Sequence, residues 1–268
     1  MRGEEVLSEF PGHLAEAAKD SPSSLLVVIG GDGTVNEVAN GVAGTEAEIA
    51  VLPCGTGQDF GRTHGIPTGF DDAVRVALGD ETRVIDLGRV ELGNSSDGGT
   101  SRFFANVGSA GMSGAVARRA NSMTKALGGR VTFFYALTRE FLAWQNTRVL
   151  VELADGVRRE GLLHDVIVAN GTWHGGGMKL APDARQDDGV FDVVTIGDVS
   201  KLDFVTTAPK LYSGRYLSHP KVELLRSSSV AISADEPLPL EVDGEPIGTT
   251  PARFEVVPSA LRLRVPAA

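Results

Sequence analysis

The sequence predicts an α/β domain followed by a strand-rich, mostly-β domain, and three observations carry this prediction. Two short aliphatic runs, residues 25–29 and 49–52, each end in a glycine loop that leads into a helical pattern. From about Arg83 onward, short strand-like runs are bounded by turn residues instead. The 268 residues, 42% of them hydrophobic, are enough to give two domains a core. We therefore expect one domain over residues 1–83 and another over 84–268.

The first domain should contain a parallel sheet. Leu25–Ile29 has the composition of a buried parallel strand, and Ile49–Leu52 is a second one. Thr34 is expected to cap the helix between them, and Gly44 to end it. A further helix is predicted near Phe70–Leu78. Strand, helix and strand in this order predict right-handed crossovers, with ligands bound beyond the carboxyl ends of the strands.

The second domain should consist mainly of antiparallel strands with three helices among them. The predicted strands are "RVIDLGRVEL", "RFFANVGS", "RVLVEL", "GLLHDVIVAN", "VFDVVTIG", "SVAISA", "PLPLEVDG", "ARFEVV" and "LRLRV", and "GNSSDGGTS" is expected to be a hairpin loop. The helices are expected at about 111–126, 130–145 and 201–213. Within the second helix, apolar residues at helical spacing favour core packing over a lipid-facing surface; they are Phe134, Leu137, Phe141 and Trp144.

Composition and charge exclude several classes of protein. The formal net charge is −10, whereas a nucleic-acid-binding protein is more often basic, so we expect no nucleic-acid partner. No apolar run reaches the ~18 residues typical of a membrane span. The acidic, polar first 25 residues argue against a secretory signal. The single cysteine, Cys54, rules out an internal disulfide and suits a reducing compartment, which predicts a cytoplasmic protein.

The glycine loop "GGDGT", residues 30–34, carries the first candidate site residue, Asp32. The loop is not a P-loop, since no Gly-Lys-Ser/Thr follows, and it lacks the third glycine of the dinucleotide fingerprint. A carboxylate here would repel phosphate unless Mg²⁺ lay between them or the carboxylate oriented a polar group of the ligand. The alternative is a glycine turn whose aspartate bonds its own backbone. Asn36 and Glu37, which follow in the helix, favour a functional loop.

"GGDGTVNEVANGV" followed by "LPCGTGQDFGR" resembles the diacylglycerol kinase catalytic-domain family. That family comprises bacterial lipid kinases and eukaryotic relatives such as sphingosine kinase. The resemblance continues through "VIDLGRV", "FFANVGSAGMSGAV", "GGGMKLAPDARQDDGVFDV" and "LEVDGEP", although Gln58 stands where the family usually has asparagine. It implies a nucleotide-binding α/β domain similar to that of NAD kinase and phosphofructokinase, then a β-sandwich-like domain. The implied activity is phosphorylation of a lipid hydroxyl with ATP and Mg²⁺ in the cleft between them.

The same resemblance assigns nucleotide-binding roles to residues of the first domain and its border. The implied ATP contacts are Gly30, Gly31, Asp32, Gly33, Thr34, Val35, Asn36 and Thr56. Asp32, Asp59 and Asp86 are implied to form an acidic network near Mg²⁺, with Arg62 paired to Asp59. The residues by themselves would make Asp86 a satisfied buried acid and Arg62 an ordinary solvated arginine.

In the second domain, the resemblance implies a structural Mg²⁺ held by the Asp188 carboxylate and the carbonyls of Arg185 and Val190. The local sequence equally fits a plain β-turn at 187–189. No zinc-ligand spacing occurs among the five histidines, and His174, on a glycine-rich loop that could line the cleft, is better interpreted as a plain loop histidine.

The catalytic acids implied by the resemblance are Glu245, as general base, with Asp243 beside it and Asp32 across the cleft. On its own, "VDGE" predicts a hairpin turn with Glu245 in solvent. A second acid close by would raise the pKa of the base toward neutrality.

Family members carry a further strand and an Asn-Pro turn upstream of the glycine loop, so the first domain is expected to be incomplete at its N-terminus. Two alternatives therefore stay open, a non-catalytic lipid- or nucleotide-binding homologue and an NAD kinase-like enzyme. The expected partner is a lipid at a membrane surface, reached by transient peripheral contact. The identity of the lipid and a homodimer are left open.

Overall fold

The computed structural model describes residues 5–21, 24–93, 100–123 and 129–267. Within them the helices are α1 (His13–Asp20), α2 (Asp32–Val42), α3 (Asp59–Thr63), α4 (Phe70–Leu78), α5 (Met112–Ser122), α6 (Gly129–Ala143) and α7 (Lys201–Thr207), followed by 3₁₀ turns at Ala208–Ser213 and Arg215–Ser218. The strands are β1 (Leu25–Gly30), β2 (Glu48–Pro53), β3 (Thr82–Leu92), β4 (Ser101–Phe104), β5 (Val107–Gly111), β6 (Thr147–Leu153), β7 (Arg158–Ala169), β8 (Trp173–His174), β9 (Met178–Lys179), β10 (Phe191–Gly197), β11 (Val222–Ser227), β12 (Ser229–Ala234), β13 (Pro239–Val242), β14 (Glu245–Thr249) and β15 (Ala252–Arg264).

The first part of the chain has the predicted parallel arrangement. β1 and β2 pair in parallel from Leu25 opposite Glu48 to Gly30 opposite Pro53. The predicted cap at Thr34 is wrong, because α2 begins at Asp32 with Gly31 as an N-cap that makes no side-chain bond. The Thr34 side chain lies against Gly30 instead, where a Cβ would stand 2.5 Å from Thr34 Oγ1. Helix α2 therefore begins directly at the glycine loop.

The second part of the chain is built mainly from antiparallel pairs. β7 pairs with β6 through residues 158–163 and with β5 through 165–169, and β10 pairs with 163–169, a stretch that overlaps the one paired with β5. The run predicted as one strand over 102–109 is two strands, β4 and β5, separated by a short turn. Conversely, "ARFEVV" and "LRLRV" form the single strand β15, which has an irregularity between Val257 and Leu261. The predicted hairpin loop falls largely on 94–99, outside the described residues.

β15 connects the two parts of the molecule. It pairs with β3 in antiparallel register along its length, and Arg262 and Leu263 also pair in parallel with β2. Leu261 and Leu263 are buried in one core together with Val35 and Val38 of α2. The end of the chain thus completes the core of the first part, and the boundary at residue 83 stays a prediction.

Helix α6 has one packed face and one exposed face. Leu137, Phe141 and Trp144 pack against the buried side chains of Met112 and Val116, which confirms the core interpretation for these three; the Phe134 side chain lies outside the described part. The opposite face exposes apolar residues, and neighbouring α7 does the same; these residues are Tyr135, Leu142, Leu202 and Val205. Among the described residues, no helix has the length and apolarity to cross a membrane.

Strand β1 is an edge of the sheet, since in the described part of the chain it pairs only with β2. Val27 and Ile29 point away from the main core and are 50% and 60% exposed. This edge is where a further strand of the kind expected from the resemblance would add.

Candidate functional site

The loops after β1 and β2 meet backbone to backbone. A Cβ on Gly55 would lie 2.4 Å from the Cα of Gly31, so the approach requires glycine. Cys54 N donates to Gly30 O at 2.9 Å and joins the two loops. Thr56, next along the second loop, is exposed. The paired loops form an open cradle of backbone beside the start of α2.

Asp32 joins this cradle to helix α3. Its Oδ1 accepts from Phe60 N at 2.9 Å. Its Oδ2 lies over the second loop, where a Cβ on Gly57 would stand 2.6 Å away. The Asp32 carboxylate therefore accepts a hydrogen bond from the backbone of helix α3 and not from its own loop. This differs from the plain glycine turn considered as an alternative.

Asp59 lies beside Asp32 and carries the predicted ion pair. Arg62 Nη1 is 2.6 Å from Asp59 Oδ1, and Gly176 N donates to Oδ2 at 2.7 Å. Burial raises the pKa of Asp59 above its ordinary value, and the charge of Asp32 adds to that rise. The Gly176 bond, His174 and Arg62 act in the opposite direction. The acid is thus held between α3 and the β8–β9 loop.

Asp243 and Gly244 form the predicted two-residue hairpin turn, with φ values of 47° and 85°. The Asp243 carboxylate accepts four hydrogen bonds of 2.7–3.0 Å, from the backbone N–H groups of 105–107 and from Asn36 Nδ2. Burial raises the pKa of Asp243, and these donors oppose the rise. Asp243 is therefore fully engaged in holding the turn.

Glu245, the first residue of β14, faces the glycine loop. Its Oε1 lies 3.9 Å from the position a Cβ on Gly33 would occupy. The side chain is half-buried, not fully in solvent. The hairpin of the second part and the loop of the first thus face each other across a cleft, with Asp32 next to Gly33 on the loop side.

Two residues predicted as nucleotide contacts turn their side chains away from the cleft. Val35 is buried in the core of the first part. Asn36 is 1% exposed, and its Nδ2 donates to Asp243 Oδ2 at 2.8 Å and to Phe103 O at 3.1 Å. Arg102 donates to its Oδ1 at 3.1 Å. Neither side chain is therefore left for a nucleotide, and Val35 N already donates to Gly31 O at 3.1 Å. Asn36 links the two parts of the molecule.

Asp86 has the contacts of a satisfied buried acid. Its Oδ2 accepts from Gly189 N at 2.9 Å and its Oδ1 from Ser259 N at 2.8 Å. These bonds fasten β3 to the 187–189 turn and to β15. They favour the interpretation from the residues alone, and the place of Asp86 in an acidic network with Asp32 and Asp59 stays a prediction.

The 185–190 turn is held by ion pairs. Asp188 pairs with Arg226 and also accepts from Val190 N at 3.2 Å. Arg226 Nε lies 3.0 Å from the buried carboxylate of Asp192, and Arg185 pairs with Asp187. In the described ranges, no three His, Cys, Asp or Glu side chains converge on a metal position. A structural Mg²⁺ here would have to share Asp188 with a guanidinium, and it stays a prediction.

His174 is the residue that the sequence interpretation undervalued. It is not a plain loop histidine, since its Nε2 lies 3.2 Å from Oε1 of buried Glu241. Burial lowers its pKa, but Glu241, with Asp243 and Asp59, outweighs this and raises the pKa to about 9. The signal in the sequence was the run of glycines after it, because Gly175, Gly176 and Gly177 all have positive φ and fold the loop over Asp59.

Comparison with known proteins gives the family. The profile described as "Diacylglycerol kinase catalytic domain" matches residues 4–90, and that described as "YegS C-terminal NAD kinase beta sandwich-like domain" matches 106–265. The chain belongs to the diacylglycerol kinase family of lipid kinases. It is accordingly a phosphotransferase, and the resemblance inferred from its glycine loops and its later motifs is confirmed.

Relatives of this lipid kinase align over most of its length. It is 35% identical over 260 residues to "Probable lipid kinase YegS-like" of Pseudomonas aeruginosa, covering 95% of this chain and 80% of that one. It is 33% identical over 234 residues to "Diacylglycerol kinase" of Staphylococcus carnosus, covering 86% and 72%.

Solved structures confirm the predicted fold. A diacylglycerol kinase structure from Bacillus anthracis superposes with a TM-score of 0.70 at 20% identity, over 97% of this lipid kinase and 83% of that chain. Yeast NADH kinase, solved with NADH, matches with a TM-score of 0.50 at 14% identity, over 91% and 62%. The two-part architecture with a β-sandwich-like second domain is therefore shared with both.

Proposed function

We propose that this lipid kinase transfers the γ-phosphate of ATP, with Mg²⁺, to a hydroxyl of diacylglycerol or a related lipid. The observation that carries the proposal is the position of Glu245, whose carboxylate on β14 faces Gly33 of the glycine loop. A lipid hydroxyl must lose its proton as the phosphoryl group arrives. A carboxylate across the cleft from the phosphate-binding loop is placed to accept that proton.

The cradle of the two glycine loops fits the phosphates of ATP. The approach of Gly31 and Gly55 leaves no room for side chains where the backbone comes together. The N-terminus of α2 is uncapped by any side chain, so its first N–H groups are free to bind an anion. Gly30, Gly31, Gly33 and Thr34 would provide this surface, with exposed Thr56 on the facing loop.

Mg²⁺ would be held on this surface by Asp32 and by the phosphates themselves. The described residues offer no ready cage of three ligands, which suits an ion that keeps several waters and takes one or two carboxylates. Bound there, the ion would neutralise charge on the phosphates. Asp59, paired with Arg62, would support the loop that carries Thr56 rather than coordinate directly.

The test of the proposal is a phosphorylation assay with labelled ATP and a total lipid extract, followed by pure diacylglycerol in mixed vesicles. We expect labelled lipid that depends on Mg²⁺ and on Glu245. NAD is assayed in parallel as the acceptor. Labelled NADP without labelled lipid would favour the NAD kinase-like alternative, and ATP binding without any transfer would favour the non-catalytic one.

We also propose that the exposed face of α6 and α7 is the site of transient membrane contact. Tyr135 and Leu142 lie seven residues apart on one face of α6, and Leu202 and Val205 are 72% and 59% exposed on α7. Lys201 Nζ donates to Leu142 O at 2.6 Å, so the two helices present these residues together. Exposed apolar side chains on two helices that are in contact, with Lys201 beside them, suit a lipid surface.

A further inference from the structure

A buried ion pair lies directly behind the turn that carries Glu245. Glu241 on β13 is 1% exposed, and a buried carboxylate is stable only when its charge and lone pairs are satisfied. Its Oε1 accepts from Ser109 Oγ at 2.7 Å and lies 3.2 Å from His174 Nε2. The cation that compensates it is His174 at the end of β8, a separate element.

The other oxygen of Glu241 holds the turn itself. Gly244 N donates to Glu241 Oε2 at 2.7 Å, and Gly244 is bonded covalently to Glu245. The carbonyl of Gly244 accepts from Asn121 Nδ2 at 3.0 Å. The backbone entering Glu245 is therefore fixed from both sides, and one of these two bonds depends on the Glu241 carboxyl group staying in place.

We infer that His174 is a positioning residue for phosphoryl transfer: through Glu241 it fixes the turn that holds the Glu245 carboxylate against the glycine loop. The charged groups around His174 fit this role. Glu241 and Asp243 face it from β13 and its turn, and Asp59, itself paired with Arg62, faces it from α3. Three carboxylates around one imidazole favour its cationic form, in which both ring nitrogens donate.

The β8–β9 loop is rigid enough to transmit this position. Gly176 N donates to Asp59 Oδ2 at 2.7 Å. Trp173 makes two cation–π contacts, with Arg62 and Lys179 at 5.5 and 5.6 Å from its ring centroid. His174 is thus anchored to the nucleotide side of the cleft at its own loop, and to the base side through Glu241.

The inference rests on the proposed function, and its test has one readout that needs turnover and one that does not. His174→Phe keeps a ring of similar size without an N–H donor, whereas His174→Gln keeps a donor for Glu241. We expect His174→Phe to lower kcat on the lipid about 10-fold, the scale of one lost positioning bond, with the Kd for ATP unchanged. His174→Gln should recover most of the loss. His219→Gln is the matched control, a partly buried histidine 4.0 Å from Asp203, outside the cleft.

The pathway through Glu241 is tested by a double-mutant cycle. Glu241→Gln keeps the shape but replaces one acceptor oxygen, so it cannot serve both His174 and Gly244. If His174 acts through Glu241, adding His174→Phe to Glu241→Gln should lower kcat no further. Additive losses would contradict the inference, as would a His174→Phe variant that binds ATP more weakly but turns over normally.

Hydrogen exchange supplies the readout that does not need turnover. In His174→Phe, amides in a peptide spanning 241–247 should exchange faster than in the wild type, while β1, β2 and α2 keep their protection. Unchanged exchange at 241–247 would overturn the inference even if the wild type phosphorylates lipid. Faster exchange there, in a protein that phosphorylates no lipid, would leave the positioning role standing and reject the proposed reaction.

Discussion

At the scale of single residues, Glu245 and its neighbour Asp243 are both acids in one turn but have different surroundings. Both are half-buried, but Asp243 accepts four hydrogen bonds, whereas Glu245 reaches toward Gly33. Only a carboxylate with free lone pairs can take a proton from a substrate. In the structure, Asp243 therefore stabilises the turn, and Glu245 is the candidate general base.

Glu245→Gln is the sharpest test of that division, since it keeps the shape and removes the proton acceptor. We expect kcat on the lipid to fall by about 10²–10⁴-fold, the usual range for loss of a general base, while ATP affinity changes little. Steady-state kinetics and calorimetric titration of ATP measure the two effects. Near-wild-type turnover would show that Glu245 is only a turn residue.

Asp32→Asn tests the acid in the glycine loop. Asparagine keeps an oxygen for Phe60 N, so the fold should persist, but the charge that would meet Mg²⁺ is lost. We expect ATP binding with Mg²⁺ to weaken by about 1–3 kcal/mol, the scale of a charge-assisted contact. Titrations without Mg²⁺ are the control. Equal Mg²⁺-dependent affinity in both proteins would reject a role for Asp32 in holding the ion.

At the scale of elements, helices α6 and α7 combine a packed face with an exposed apolar one. Phe141 and Phe204 stack with ring centroids 4.5 Å apart, which fixes the helices to each other beneath the exposed residues. Changes on the outer face should therefore leave the packing intact. This separation makes the membrane proposal testable without unfolding the protein.

The double variant Leu142→Asp with Leu202→Asp should lower the fraction of protein that co-sediments with anionic lipid vesicles. Burying a leucine in a lipid interface is worth about 1.5–3 kcal/mol, so we expect the loss of two to lower the affinity at least 10-fold. Leu78→Asp on α4 is the control, since Leu78 is 79% exposed on another face. An equal loss from the control would mean that added charge alone is responsible.

His164 on β7 gives this region a predicted acid sensitivity. Burial between Trp144 and Phe204 lowers its pKa to about 4, against the opposing charge of Asp198. The unfolded chain binds this proton near pH 6.5, so proton binding stabilises the unfolded state relative to the folded one as the pH falls from 6.5 to 4. The contribution of neutral, buried His164 to the free energy of unfolding is therefore complete above pH 6.5 and is lost progressively as the pH falls toward 4.

His164→Gln should remove that dependence. Between pH 7 and pH 5 the wild type should lose about 2 kcal/mol more free energy of unfolding than the variant, measured by urea denaturation. The neighbouring Asp165, whose pKa burial raises to about 7, acts with the opposite sign and is common to both proteins. His13→Gln, on α1, serves as the control. Identical pH dependence of wild type and His164→Gln would contradict the assignment.

At the scale of the whole molecule, local patterns in the sequence predicted the elements well but not their long-range connections. The period of the aliphatic runs and the glycine turns located β1, β2 and α4, because burial and turn geometry are local in sequence. The sequence predicts two strands where the structure has the single strand β15, because the pairing of β15 with β3 and β2 depends on residues more than 150 positions away. Its irregularity between Val257 and Leu261 resembles an end of a strand when only its own residues are considered.

The candidate site shows the same contrast between local sequence signals and long-range contacts. The glycine loops and Asp243-Gly244 have strong local signatures, and the resemblance supplied Glu245 and the Asp59–Arg62 pair. His174 was undervalued because its partner Glu241 lies 67 residues later and reads locally as part of an apolar strand. The resemblance implies that Asn36 contacts ATP, because the sequence does not show that Asp243 and Phe103 lie beside its side chain. Partners brought together by the fold decide these roles.

Asn36 carries the last prediction, which concerns the contact between the two parts of the molecule. The residue is 1% exposed, and its amide donates to Asp243 and to Phe103 O. Asn36→Ala should lower the free energy of unfolding by about 1–3 kcal/mol, since it removes both hydrogen bonds, one of them to a carboxylate. Asn36→Asp should cost more at pH 7, because it sets a second carboxylate against that of Asp243.

The excess cost of Asn36→Asp over Asn36→Ala should shrink at pH 5, where one proton shared between the two acids relieves the repulsion. Urea denaturation of both variants at the two pH values measures it. Asn40→Asp, one turn along α2, is the matched control, because Asn40 bonds Phe103 rather than Asp243. If Asn36→Asp proved as stable as Asn36→Ala at pH 7, the contact between Asn36 of α2 and Asp243 in the turn before Glu245 would not contribute to stability as its geometry implies.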